Sequence, residues 1–138
     1  MFKRFVLRLP RKIAGEMISQ AEREMPDECC GLLAGSPDGN VTHAFALVNA
    51  LHSPILFESE PRSMFDAMKR MRALGVEMLA VYHSHPLSEP IPSRIDLANN
   101  YSDNVQSVIV GKVKDEWAIR SWWQTVWGFE KAELIEDG

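Results

Sequence analysis

The spacing of apolar residues changes several times along the chain, and each change predicts an element. Residues 2–9 form a short apolar run closed by Pro10, which predicts a first strand. Residues 11–25 place Ile13, Met17, Ile18, Ala21 and Met25 at helical intervals with polar residues between them, the pattern of an amphipathic helix. Pro26 ends it, because the proline ring denies helical geometry to the residue before it.

The apolar run over 29–34 predicts a buried strand. Ser36-Pro37-Asp38-Gly39 is a turn signal, and 41–50 is the returning strand of a hairpin. A further strand is predicted over 55–59. Over 62–74, Met64, Phe65, Met68, Met71 and Leu74 share one helical face, with Gly75 placed as a C-cap. Residues 76–82 predict another strand, leading into His83-Ser84-His85-Pro86. Pro90 and Pro92 exclude regular structure over 87–92. A short helix over 93–100 and strands over 106–111, 116–123 and 128–134 complete the set. Strands and helices mix without strict alternation, so the predicted class is α+β, three-layer and α/β/α-like, with a mixed sheet flanked by helices.

Composition narrows the function classes. The 138 residues fit one domain, 1–138, and the 46% apolar and 25% charged content is that of a soluble globular protein. Fifteen Lys and Arg against 19 Asp and Glu give a net charge of −4. With no basic excess to meet a phosphate backbone, no nucleic-acid partner is expected. No apolar run approaches the roughly 18 residues that span a bilayer. Arg8 and Pro10 interrupt the first apolar stretch too early for a signal peptide, so the expected location is cytoplasmic. Cys29 and Cys30 are adjacent, and neighbouring Cα atoms stand about 3.8 Å apart, closer than unstrained disulfides allow. Reduced thiols are expected, serving as small buried strand residues, with a redox influence on the neighbouring carboxylate of Glu28 as the alternative should that residue be functional.

The chemistry-bearing stretch is His83-Ser84-His85-Pro86, then Ser93-Arg94-Ile95-Asp96. Residues i and i+2 of a strand face the same way, so a strand continuing through here sets two imidazoles side by side. Asp96 adds an oxygen ligand from the next element. Three protein ligands with a fourth position open describe a catalytic zinc site. Alone, a His-x-His pair is weak evidence, and Ser93 with Asp96 reads equally well as a helix capping box. No His-Glu-x-x-His helix, deaminase Pro-Cys-x-x-Cys, phosphate loop or Gly-x-Ser-x-Gly elbow competes. His43 and His52 read as ordinary hairpin and loop residues. The tryptophans at 117, 122, 123 and 127 read first as core and second as an interface.

These residues carry a resemblance. His83-Ser84-His85-Pro86, seven residues from Pro86 to Pro92, Ser93 and Asp96 resemble the signature of the JAMM (MPN+) zinc metalloproteases. Upstream, Pro26-Asp27-Glu28-Cys29-Cys30-Gly31-Leu32-Leu33-Ala34-Gly35 is similar to the Pro-x-Glu-x-Cys-Gly-Leu-Leu-x-Gly segment of the bacterial and archaeal members. The resemblance implies the MPN/JAMM fold, cytidine-deaminase-like in layout, with one Zn2+ per chain held by His83, His85 and Asp96. It implies Glu28 as general acid/base and Ser93 as the residue that helps stabilise the tetrahedral intermediate. Spacing does not select Glu28 over Asp27, Glu77 or Glu89; only the resemblance does.

The activity implied is hydrolysis of a peptide, isopeptide or aminoacyl amide after the C-terminal Gly-Gly of a ubiquitin-like protein. Short connections resemble the compact prokaryotic type, whose substrates would be ubiquitin-like sulfur carriers or their conjugates. A Gly-Gly tail offers no side chains, so recognition is expected through backbone contacts, by strand addition at a sheet edge and a narrow channel walled by 87–92. Two alternatives stand beside this reading. One is a non-catalytic MPN scaffold, against which the intact ligand set argues, and the other is a zinc hydrolase of a small amidated metabolite.

Overall fold

The computed structural model describes residues 4–93, 105–125 and 128–138. The chain order is β1 (Leu7–Pro10), α1 (Arg11–Glu24), β2 (Cys30–Gly35), β3 (Val41–Leu47), α2 (Pro61–Leu74), β4 (Glu77–Ser84), β5 (Gln106–Val113), β6 (Glu116–Thr125), β7 (Gly128–Ala132) and β8 (Leu134–Asp137). Six strands form a sheet in the order β3-β2-β4-β5-β6-β7, while β1 and β8 make a separate parallel pair. Only β4 and β5 run parallel within the large sheet; its other neighbours are antiparallel. The sheet is therefore mixed and the class α+β, as predicted.

Alternation along the strands divides the interior in two. Leu33, Tyr82, Val108 and Val110 turn to one face, where Ile13, Ala14, Met17 and Ala21 of α1 cover them. Cys30, Leu32, Ala34 and Val81 turn to the other, under Ala67 and Met71 of α2. The result is three layers, α1, sheet, α2. The register between β2 and β4 shifts between Leu33 and Ala34. That bulge lets consecutive Leu79 and Ala80 both enter the α1 side. Beyond it, Tyr82 faces α1 while Val81 and His83 face α2.

Two predicted details differ. The strand expected over 55–59 is replaced by a single bridge between Asn49 and Ser59. Ser53 Oγ accepts from the amides of Ile55 and Leu56, both at 3.2 Å, and Asn49 Oδ1 accepts from Glu58 N at 3.1 Å. Side chains thus take the backbone groups that a ladder would use. The apolar face of α2 is also narrower than its sequence. Burial centres on Ala67 and Met71, leaving Phe65, Met68 and Leu74 at 63%, 50% and 50% exposure.

On α1, buried Gln20 interrupts the apolar face. Its amide donates to Cys30 O at 3.0 Å, and it accepts from the Tyr82 hydroxyl at 2.5 Å. Gly31 makes room for that tyrosine, since a Cβ there would land within its ring. The helix predicted over 93–100 lies, beyond Ser93, outside the described residues. Among the described residues no helix is long and apolar enough to cross a membrane.

Candidate metal centre

The C-terminal end of β4 is the focus. Cys30 pairs with His83 in the antiparallel β2–β4 ladder. Ser84 N donates to Cys29 O at 3.0 Å, and Cys29 N donates to Ser84 Oγ at 2.8 Å, so the pairing continues past the named strands. One further step along that register sets Glu28 across from His85. Because side chains alternate, Glu28, His83 and His85 share the face that Cys30 presents to α2. All three are buried, at 3%, 1% and 6% exposure.

On its other side β4 runs parallel to β5, and His85 N donates to Val110 O at 2.8 Å. Both histidines are thus fixed by backbone bonds before any side-chain contact is counted. In open sheets, ligands gather beyond the C-terminal ends of parallel strands, and β4 and β5 form the one parallel pair of this sheet.

The imidazoles converge. His83 Nε2 and His85 Nε2 lie 3.1 Å apart with ring planes tilted by 59°. Two nitrogens bonded at about 2.0–2.1 Å to one tetrahedral ion stand about 3.3 Å from each other, so the pair fits a shared metal. His85 Nδ1 lies 3.0 Å from Glu89 O. A carbonyl only accepts, so Nδ1 carries the proton and Nε2 is left with its lone pair. Phe57 stacks on the His83 ring, with centroids 4.7 Å apart and planes at 21°, and fixes its plane from the side of α2.

Glu28 is held through its backbone. Its N–H donates to Ser53 O at 2.8 Å, and Asn49 Nδ2 donates to its carbonyl at 3.0 Å. Buried Asn49 also donates to Leu56 O and accepts from Leu51 N and Glu58 N, so one side chain ties the 49–58 loop to the residue across from His85.

The structure therefore brings together Glu28, His83 and His85. Ser93 is exposed and is the last residue described before the gap at 94–104. Asp96 lies outside the described residues, and among those described no cluster of three His, Cys, Asp or Glu side chains forms a metal cage.

Cys29 and Cys30 are free thiols on opposite faces of the sheet, Cys29 toward α1 and Cys30 toward α2. Burial pushes the Cys29 thiol up to about 11 and the Cys30 thiol up to about 12, so both are protonated at neutral pH. This is the chemistry of packing residues rather than of nucleophiles.

Several residues of the site escape sequence reasoning. Asn49, Phe57, Gly111 and Trp122 are remote in sequence from both motifs. Phe57 alone carries a signal, as the one aromatic residue in the apolar run 55–57. Trp123 meets the expectation of a core tryptophan: it is buried, edge-on to Phe5 at 5.2 Å. Trp122 instead donates its indole N–H to Pro90 O at 3.1 Å, in the segment that follows the histidines. Trp127 lies outside the described residues.

Fold and site together define a class, and the comparisons name it. The chain belongs to the prokaryotic homologs of the JAB domain, whose family pattern matches residues 10–125. It is similar to a CysO-cysteine peptidase of Mycobacterium tuberculosis, 30% identical over 95 residues, 67% of this chain and 64% of that one. It is also similar to a probable TtuB-protein conjugate cleaving protease of Thermus thermophilus, 34% identical over 93 residues, 67% of this chain and 62% of that one. The chain thus spans a little under two thirds of the length of these curated relatives.

Among solved structures, protein DSY2949 from Desulfitobacterium hafniense superposes with a TM-score of 0.87 at 30% identity, covering 96% of this chain and 93% of that one. The JAB1/MPN domain protein AF2198 from Archaeoglobus fulgidus, at 20% identity, shares the fold, with a TM-score of 0.61 over 94% of this chain and 98% of that one.

Proposed function

We propose that this chain is a zinc-dependent amide hydrolase of the JAMM type, acting as one domain over residues 1–138 in the cytoplasm. Its substrate is a peptide, isopeptide or aminoacyl amide following the C-terminal Gly-Gly of a ubiquitin-like, sulfur-carrier-type protein. One observation carries the reading: two buried imidazoles with Nε2 atoms 3.1 Å apart, set across the β2–β4 register from Glu28. The substrate class draws support from relatives named as a CysO-cysteine peptidase and a TtuB-conjugate cleaving protease.

His83 and His85 would hold one Zn2+, with Asp96 as the third ligand. When bound, the metal supplies a Lewis acid and lowers the pKa of water from about 15.7 toward 7. The chain's own residues do the rest. The Glu28 carboxylate takes a proton from the attacking water and returns it to the leaving amine nitrogen. His85 keeps its Nδ1 proton on Glu89 O, so its Nε2 stays a lone-pair donor. The Ser93 hydroxyl donates to the developing oxyanion, a contact typically worth about 3–4 kcal/mol.

The test is to incubate the zinc-loaded protein and a chelated control with Gly-Gly conjugates of ubiquitin-like carriers and a panel of small amides, reading products by mass spectrometry. Cleavage after Gly-Gly by the zinc form alone is expected. Cleavage of small amides only would overturn the substrate class, and no cleavage by a zinc-loaded protein would favour the scaffold reading.

A further inference from the structure

The segment over 86–92, between the two histidines and Ser93, is fastened to the sheet although it has no regular structure. Ser88 O accepts from Lys112 N at 2.8 Å, and Ser88 N donates back to His85 O at 3.4 Å. Pro90 is fully buried. Gly111 of β5 lies directly beneath, and a Cβ there would stand 2.5 Å from Pro90 N, 2.7 Å from Glu89 C and 2.8 Å from Ser88 O. The approach of the segment to the sheet therefore depends on a position with no side chain.

Glu89 sits between the two fastened residues, and its carbonyl is the acceptor for His85 Nδ1. Where that carbonyl lies decides which nitrogen of His85 carries the proton and how the ring is aimed. On the Ser88 side a backbone bond holds the chain. On the other side Pro90 has no N–H. Ile91 N donates to Glu89 O at 2.8 Å within the segment, and the bond from the segment to the sheet is made through the Pro90 carbonyl. The donor that reaches it is the indole of Trp122, on β6, at 3.1 Å.

We propose that Trp122 is a positioning residue for the metal centre, acting through Pro90 and the Glu89 carbonyl to orient His85. The inference rests on the reading that His83 and His85 hold zinc. It assigns a role that neither motif contains, to a residue 37 positions beyond His85.

Trp122→Phe keeps an aromatic ring and removes the donor. The readout is Zn2+ affinity, measured by competition with a chromogenic chelator at a temperature where circular dichroism shows the metal-free variant fully folded. The dissociation constant should rise about tenfold relative to wild type, the usual scale for losing a partner behind a histidine ligand. The visible ligand-field bands of the Co2+-substituted protein should shift as well. Gly111→Ala, which lifts the same segment by a different route, should weaken Zn2+ in the same direction. Ile18→Ala, on remote α1, should lower the melting midpoint and leave Zn2+ affinity unchanged. Wild-type affinity in Trp122→Phe would overturn the proposal, as would equal weakening in Ile18→Ala. A wild-type protein that binds no Zn2+ would overturn the metal centre itself, and this inference with it.

Discussion

At the scale of single residues, the proposed ligands and the proposed base are held in different ways. The Nε2 atoms of His83 and His85 converge to 3.1 Å, whereas Glu28, just before β2, has its backbone anchored by Ser53 and Asn49. Glu28→Gln preserves shape and both imidazoles. It should keep one Zn2+ per chain by elemental analysis while hydrolysis falls about 10²-fold or more. His83→Ala should lose the metal outright, and Asp96→Ala should weaken its binding. Metal loss in Glu28→Gln, or full activity, would remove Glu28 from the role of base. The buried thiols give a second prediction. A thiol is uncharged when protonated, so a raised folded-state pKa stabilises the fold fully below the ordinary value of 9.0. That contribution disappears as pH climbs through about 11 and 12. Denaturant midpoints should therefore fall between pH 8 and pH 11, and Cys30→Ala should show a shallower fall from a lower start. Parallel pH profiles for the two proteins would contradict this origin.

At the scale of elements, what was legible depended on how local the determinant is. The turn at Ser36–Gly39 and the Gly75 cap, with its φ of 71°, are written in adjacent residues and appear where the pattern places them. The His83–His85 pair was legible because strand alternation is a local rule. The loop over 49–58 was not, because its conformation is set by Asn49, whose four partners lie at Glu28, Leu51, Leu56 and Glu58. The apolar run 55–57 has a strand's pattern, but Ser53 takes its first two amides and Asn49 the carbonyl of Leu56. The buried face of α2 departs from its pattern for a related reason: helical spacing shows which residues align, whereas contact with the sheet buries Met71 of that row and Ala67 beside it. Asn49→Ala leaves the buried carbonyl of Glu28 and the part-buried one of Leu56 without their donor, a loss of about 1–3 kcal/mol. Hydrogen exchange should quicken at the amides of Leu51 and Glu58 and stay slow in β5. Unchanged exchange at those two amides would show that the loop is held by something else.

At the scale of the whole molecule, the sheet order constrains how substrate arrives. β4 is an inner strand, paired with β2 over 77–83 and with β5 over 80–84, between sheet edges at β3 and β7. Among the described residues β4 itself offers no edge for strand addition. On the proposed function, backbone recognition of a tail would fall to the two irregular segments at the end of β4. One is the 49–58 loop held by Asn49, and the other is the 86–92 segment pinned by Lys112 and Trp122. Both are fastened by several hydrogen bonds, buried or part-buried, so neither gives way easily to a larger ligand. That combination favours a substrate with the smallest cross-section, which Gly-Gly provides. Replacing the last glycine of one carrier by valine adds a branched side chain that a wall so fastened accommodates poorly. The value of kcat/KM should fall at least about tenfold for the Gly-Val conjugate relative to its matched Gly-Gly partner. In a variant with a loosened wall, Trp122→Phe assayed at saturating Zn2+, the two rates should draw closer. Equal rates in the wild type would show that the channel does not read the glycine, and would move the substrate from ubiquitin-like tails toward small amides.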